Sequence, residues 1–127
     1  MSWTKKGLTE VENSAPKFGF PDGEARFAFG ELEASDTGCA YFRFGPGDRS
    51  PFAHKHENAE EVYVVLSGSG RAKLDDDVVD IQRLDAIRVS PTVVRAFEAG
   101  GEGLEILAFG PRCEGDGELI HEDVFEG

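Results

Sequence analysis

Two closely spaced histidines and a nearby glutamate are the residues of this sequence best suited to chemistry. His54 and His56 are two of the chain's three histidines, and Glu61 follows five residues later. In a β-strand, residues two apart project from one face about 6.5 Å apart, so both imidazoles can converge on one point. Glu61 can add a carboxylate there. Two histidines and one carboxylate are typical of non-haem iron(II) sites and also suit Mn, Ni or Zn, so the spacing predicts a divalent metal site.

Segments of alternating or β-branched residues surround these side chains and predict an all-β fold. Residues 26–32 and 38–44 alternate in hydrophobicity, and residues 61–66 form the most β-branched segment of the chain. Tight turns are expected at the glycine-containing stretches 67–70 and 99–101. Further short strands are expected at 78–81, 86–89, 93–97 and 104–109. About eight strands without a convincing amphipathic helix are typical of a β-sandwich or barrel.

The length of 127 residues predicts a single domain flanked by two less regular segments. Residues 1–24 contain two prolines and little periodicity, which indicates an extended arm that is either mobile or packed across a sheet or a neighbouring subunit. Residues 25–112 hold the predicted β-barrel, and residues 113–127 form an acidic tail that we expect to be loosely held. Cys39 and Cys113 belong to no metal or redox motif, so we expect two free thiols.

The charge balance limits the partners of the protein. Thirteen Lys and Arg against 25 Asp and Glu give a formal net charge of −12. Such a surface repels phosphate backbones and anionic lipid, which disfavours nucleic-acid and membrane partners. The sequence has no apolar stretch of membrane-spanning length, and its first ten residues lack the apolar core of a signal peptide. We therefore expect a soluble, cytoplasmic protein.

The spacing of the candidate ligands also resembles a known family motif. Gly47, the His54-x-His56 pair, Glu61 and Gly68 together resemble the first signature motif of the cupin superfamily. In that motif the two histidines and the glutamate resemble metal ligands, and the final glycine resembles the turn between two strands. The resemblance, which covers roughly residues 38 to 109, implies a conical jelly-roll β-barrel.

The second cupin motif resembles residues 84–97, with Asp85 and Pro91 at its acidic turn and its proline. Arg95 stands where this motif normally supplies a third metal-binding histidine. Arginine keeps its charge and has no free lone pair, so it cannot ligate a metal. Three interpretations of Arg95 follow. It can pair with Glu61 and oppose a cation, clamp an anionic ligand in the cavity, or point outward at the rim.

The resemblance implies a small single-domain cupin that binds a small polar or anionic ligand in the barrel. His54, His56 and Glu61 would hold a divalent Fe, Mn, Ni or Zn ion, with Tyr63 and Arg95 as ligand-binding residues. Tyr63 can orient a ligand through its hydroxyl or serve as a core aromatic residue. If the protein is an enzyme, a dioxygenase or a metal-assisted isomerase is expected.

Two alternatives remain open at the sequence level. One is a metal-free, non-catalytic binding or sensing module with a Glu61–Arg95 ion pair in the cavity. The other is a metal-free isomerase that uses His56 as base and Tyr63 as acid. The arm and the open sheet edges of a jelly roll predict a homodimer.

Overall fold

The computed structural model describes residues 2–20, 22–121 and 124–125. The remaining positions of the predicted arm and tail lie outside the described residues: Met1, Pro21, Glu122, Asp123, Glu126 and Gly127. The described residues form eight β-strands and two short 3₁₀ helices, Leu8–Glu10 and Ala15–Phe18. The strands are β1 (Glu24–Phe27), β2 (Thr37–Phe44), β3 (Ala53–His56), β4 (Glu61–Leu74), β5 (Asp77–Gln82), β6 (Ala86–Val89), β7 (Arg95–Pro111) and β8 (Gly117–Ile120). No helix among the described residues is long and apolar enough to span a membrane.

The strands form one curled antiparallel sheet, which confirms the predicted all-β jelly-roll class. The long strands β4 and β7 pair with each other along most of their length. β7 also pairs with β2 and, at its first residue, with β3, while β4 also pairs with β5 and β6. β1 continues the sheet beyond β2, and β8 continues it beyond β3. The curl brings the starts of β3, β4 and β7 around one cavity.

The two predicted turns at 67–70 and 99–101 are wrong, because both segments lie inside the long strands β4 and β7. The pairing of these strands shifts register between Val65 and Ser67 and again between Gly68 and Gly70. Gly68 has φ of 78°, and a Cβ there would lie 2.1 Å from the carbonyl oxygen of Gly103. Glycine is therefore required by irregular pairing and close strand approach rather than by a reversal of the chain.

The predicted strand over 26–32 ends early, at Phe27. Beyond it the backbone forms local turn hydrogen bonds, from Leu32 N–H to Ala28 O at 2.9 Å and from Glu33 N–H to Gly30 O at 3.0 Å. Glu33 has φ of 57°, which a continuing strand does not accommodate. The alternating pattern thus extends into a turn that connects β1 to β2.

The N-terminal arm packs against its own sheet. Val11 and Ala15 are buried, and the Asn13 side chain accepts hydrogen bonds from the N–H groups of Ala15 and Ala25, both at 3.0 Å. The same side chain donates to Gly23 O at 3.1 Å. This anchoring places the second 3₁₀ helix, with its phenylalanine, beside the cavity.

The tail is held more firmly than expected. β8 pairs with β3 over four residues, so part of the predicted loose tail belongs to the sheet. Asp116, just before β8, is buried and accepts hydrogen bonds from the N–H groups of Asn58 and Ala59, each at 2.9 Å. A carboxylate that satisfies several N–H groups stabilises both partner segments.

One part of the interior is packed with aliphatic side chains. Its large buried members lie on four strands: Val65, Ile81, Val89, Leu104 and Ile106. Burial of each such side chain contributes about 1.5–3 kcal/mol to folding. This aliphatic core packs β4 and β7 against their neighbours. These two strands carry Glu61 and Arg95 at their first residues.

Candidate functional site

The three predicted ligand residues come together in the structure. His54 and His56 lie on β3, and Glu61 is the first residue of β4. Glu61 Oε1 lies 3.4 Å from His54 Nε2 and 3.2 Å from His56 Nε2. One ligand atom of each residue lies within 4.8 Å of the others. The period of two along β3 and the short connection to β4 produce this convergence, as the sequence predicts.

These residues fit a divalent metal ion. Adjacent donors about 2.1 Å from a metal lie roughly 3.0–3.4 Å apart, which is the separation seen between Glu61 and each histidine. Both ring nitrogens of His56 are buried and lack a hydrogen-bond partner among the described residues. His56 Nδ1 lies 3.4 Å from Asp116 Oδ2, the position of a carboxylate that orients a ligating histidine. A buried ring nitrogen without a hydrogen-bond partner is costly unless another group, such as a metal ion, completes it.

Arg95 is fully buried and points into the site, which excludes the rim interpretation. Its Nη1 donates to Glu61 Oε1 at 2.7 Å. The other donors are taken by backbone carbonyls: Nε by Val93 O at 3.0 Å, and Nη2 by Ser90 O and Pro91 O at 2.8 and 2.9 Å. The guanidinium is therefore held by the turn before β7 and neutralises Glu61. It has little donor capacity left for a separate anion.

Glu61 and Tyr63 have firmly set protonation states. Burial alone raises the pKa of Glu61, but contacts from His54, His56 and Tyr63, together with the charge of His56, outweigh it and hold that pKa well below its usual range. The Tyr63 hydroxyl donates a hydrogen bond to Glu61 Oε1. Burial and the neighbouring Glu61 charge raise the pKa of Tyr63 well above its ordinary value. The site thus contains an ionised carboxylate and a protonated phenol.

A cavity of about 390 Å³ opens above this cluster. Its volume falls in the range of small-molecule pockets. Nine of the chain's ten phenylalanines line it. They are Phe18, Phe20, Phe27, Phe29, Phe42, Phe44, Phe52, Phe97 and Phe109. His54, His56, Glu61, Tyr63 and Arg95 also line it, so all five predicted site residues face one space.

The sequence patterns described above do not single out three phenylalanines of this wall: Phe18, Phe20 and Phe52. Phe18 and Phe20 lie in the arm, where no periodicity marks them. Phe52 precedes His54 by two residues, so the β-strand period was a usable signal. Asp116 was also missed, because an aspartate in a glycine-containing acidic tail carries no pattern of its own. His121 lies beside Phe52, with ring centroids 6.0 Å apart, and outside the histidine–glutamate cluster.

Known proteins resemble this chain in sequence and in fold. An uncharacterized protein of Methanocaldococcus jannaschii is 31% identical over 70 residues, which cover 53% of this chain and 56% of that protein. The chain therefore spans little more than half the length of this relative. Two solved structures match over far more of the fold, although their sequence identity to this chain is low.

The polyketide cyclase RemF from Streptomyces resistomycificus superposes with a TM-score of 0.76 at 20% identity, covering 95% of this chain and 87% of RemF. A cupin-superfamily sugar phosphate isomerase from Silicibacter pomeroyi gives a TM-score of 0.74 at 16% identity, covering 94% of this chain and 83% of that protein. At these identities the likeness establishes the fold.

The family profile of the cupin domain matches residues 40–109, more than half of the chain. That range contains His54, His56 and Glu61 as well as Arg95. It also contains β3, β4, β5, β6 and all but the last two residues of β7, the strands that carry the site and the aliphatic core. From the match, the curled antiparallel sheet and the cavity at its opening, the chain belongs to the cupin domain family.

Proposed function

We propose that this protein binds a small molecule in its cavity beside a divalent metal ion held by His54, His56 and Glu61. The observation that carries the proposal is the convergence of these three donors around His56, whose two buried ring nitrogens have no hydrogen-bond partner among the described residues. Fe, Mn, Ni and Zn all suit two imidazoles and one carboxylate. When bound, such an ion supplies Lewis acidity or oxygen activation.

The chain's own residues tune that site. Asp116 orients His56 from behind, Tyr63 holds the Glu61 carboxylate, and Arg95 compensates its charge. A dioxygenase and a metal-assisted isomerase are the reaction classes that we propose. The structural likeness to a sugar phosphate isomerase and to a polyketide cyclase supports an enzyme that rearranges its substrate.

Metal analysis of the protein as purified tests the proposal. We expect about one equivalent of transition metal, lost in the His54→Ala/Glu61→Gln double variant because two of three donors are removed. His121→Ala is the matched control, since it removes the third histidine without touching the cluster. A parent protein that is metal-free and also fails to bind added Fe, Mn, Ni or Zn in titration calorimetry would contradict the proposal.

A metal-free binding module is the second candidate, favoured by the 2.7 Å contact between Arg95 and Glu61. Arg95 and Tyr63 both donate to Glu61 Oε1, the oxygen that also faces the histidines. Arg95 would then supply the positive charge that a bound metal ion supplies in the first candidate function. The same metal titration separates the two candidates, because only the first requires an ion.

We also propose that the protein forms a homodimer, because β5 and β6 each pair only with β4 among the described residues and leave open edges. A two-fold dimer is the commonest arrangement for such a protein. Analytical ultracentrifugation at micromolar concentration should show a sedimenting species of twice the chain mass. A single monomeric species there would contradict the proposal.

A further inference from the structure

The cavity walls differ in chemistry from the rest of the interior. Nine phenylalanines line the cavity, whereas Leu119 is the one branched aliphatic residue among its described lining residues. Phe44, Tyr63 and Phe97 of this lining also belong to the buried core cluster, whose other large members are valine, leucine and isoleucine. A cavity that merely had to be apolar would not need so many aromatic rings on its walls. Aromatic rings offer flat faces and polarised edges that prefer other aromatic rings in stacked or edge-to-face contact.

We propose that the ligand of this cavity is a flat aromatic molecule bearing a hydroxyl group, with its rings against the phenylalanine walls and its hydroxyl at the histidine–glutamate floor. This proposal rests on the proposed function only in that both place the ligand in the same cavity. It does not require that the metal be present.

The wall rings already form a connected aromatic series. Phe18 contacts Phe27 and Phe52 edge to face, with ring centroids 6.2 and 5.6 Å apart. Phe27 in turn contacts Phe42 at 5.8 Å in the same manner. The series links the arm, β1, β2 and the segment before β3, so four separate parts of the chain direct aromatic rings to one space.

The outer rings remain available for contact. Phe18, Phe27 and Phe109 are 39%, 47% and 37% exposed. Large aromatic side chains that line a cavity and still face solvent mark a binding surface more often than a packed core. A volume of about 390 Å³ suits a small molecule and not a folded protein segment.

The cavity floor provides acceptors rather than free cations. Glu61 presents a carboxylate to the cavity, and the donors of Arg95 are engaged by Glu61 and backbone carbonyls. The other arginine of the lining, Arg112, lies flat on Phe29 at 3.9 Å from the ring centroid and pairs with Glu114 at 2.7 Å. A neutral hydroxyl that donates to the floor fits this arrangement, whereas a phosphate finds no unpaired guanidinium among the described lining residues.

Matched probes test the aromatic preference by titration calorimetry on the full chain, both as purified and after chelator treatment. 2-Naphthol is the aromatic probe, and decahydro-2-naphthol is its saturated counterpart with the same ring skeleton and hydroxyl. 2-Methoxynaphthalene keeps the rings but cannot donate a hydrogen bond. Glucose 6-phosphate represents a sugar phosphate. We expect 2-naphthol to bind tightest, roughly tenfold above each of the others, in both preparations.

Phenylalanine variants locate the binding. Phe27→Leu and Phe18→Leu replace partly exposed rings, and each should weaken 2-naphthol binding roughly two- to tenfold. Phe125→Leu is the matched control: Phe125 lies against Arg49 and Arg71, outside the cavity, and its loss should leave binding within about twofold. Circular dichroism verifies that each variant is folded.

Three outcomes would overturn the inference. Decahydro-2-naphthol binding as tightly as 2-naphthol would mean that the walls act only by being apolar. Tighter binding of glucose 6-phosphate would assign the cavity to sugar phosphates. A Phe27→Leu variant that changes the sedimentation coefficient but not 2-naphthol affinity would assign the aromatic opening to contact between copies of the chain. The absence of bound metal would leave all three readouts intact and would count against the proposed metal function alone.

Discussion

Strands β4 and β7 carry two arginine–glutamate clusters whose arginine side chains differ in their exposure to water. In the buried cluster, β7 contributes Arg95 and β4 contributes Glu61, joined at 2.7 Å with the arginine fully buried. In the exposed cluster, β7 contributes Glu98 and β4 contributes Arg71, whose Nε donates at 2.9 Å, and Arg49 donates to the same carboxylate. The arginine side chains of the exposed cluster are 42% and 36% exposed.

The difference shows how surroundings set the role of one kind of pair. Water competes for the exposed cluster, so its contribution to folding is small. In the buried cluster the arginine depends on its partner, because the fully buried Arg95 gains no hydration if Glu61 is removed. Such a pair is poor as a general stabiliser and well suited to maintain a fixed charge beside a ligand cavity.

The largest expected effect comes from removing the buried arginine. Arg95→Met leaves Glu61 without its cation and removes one donor from each of three backbone carbonyls, so we expect the free energy of unfolding to fall by about 3–5 kcal/mol. Urea denaturation in the presence of a chelator measures the change without metal compensation. Arg71→Met, the matched substitution in the exposed cluster, should cost less than about 1 kcal/mol.

A double variant sharpens this result. Glu61→Gln combined with Arg95→Met removes both charges and should recover part of the loss, because no buried charge is then left unpaired. Equal losses for Arg95→Met and Arg71→Met would show that burial does not distinguish the clusters.

Arg95→His tests the buried cluster as a metal site. The substitution removes the competing positive charge and places an imidazole where the second cupin motif has a ligand, so metal affinity should rise roughly tenfold or more. Titration calorimetry with Zn²⁺ and Mn²⁺ measures the gain, and Arg71→His serves as the control. Unchanged affinity in Arg95→His would mean that this position does not reach the metal.

The exposed cluster should show a small effect that depends on pH. Hydrogen bonds from Arg49 and Arg71 hold the pKa of Glu98 below its ordinary value of 4.5. Ionised Glu98 therefore stabilises the fold fully above that value, and the contribution is lost as the pH falls through the lowered pKa. Glu98→Gln should cost no more than about 1 kcal/mol at neutral pH, and the difference from the parent should vanish in acid.

Urea denaturation of Glu98→Gln and the parent between pH 7 and roughly pH 3 checks this dependence. The gap between the two proteins must narrow as the pH falls. A gap that widens in acid would contradict the assigned direction of the Glu98 pKa shift.

Local patterns in the sequence were sufficient for the strand-rich fold and for the grouping of His54, His56 and Glu61. The period of two places both histidines on one face of β3, and a short connection leads directly to Glu61. These relations span only eight residues, so they do not depend on how distant segments of the chain pack. The same local signals misled where glycine was involved, since Gly68 serves a bulge in β4 rather than a turn.

The position of Arg95 was decided by tertiary structure. In the register of β4 and β7 it lies opposite Leu74, and it reaches Glu61 only because the sheet curls around the cavity. Asp116 reaches His56 in the same long-range way, since the pairing of β8 with β3 brings the tail to the site. Contacts of this kind depend on the closure of the whole sheet, and no pattern within a short segment specifies that closure.

Local sequence pattern and tertiary packing together determine the aromatic lining of the cavity. Alternation along β1 and β2 identifies Phe27 and Phe42 as inward or boundary residues from the sequence alone. Phe18 joins them because hydrogen bonds of Asn13 fix the arm against the sheet. The sequence thus determined which strands are apolar and where two histidines and a carboxylate can meet. Only the folded chain determined that arm, tail and barrel surround the same cavity, because packing between distant segments has no local signature.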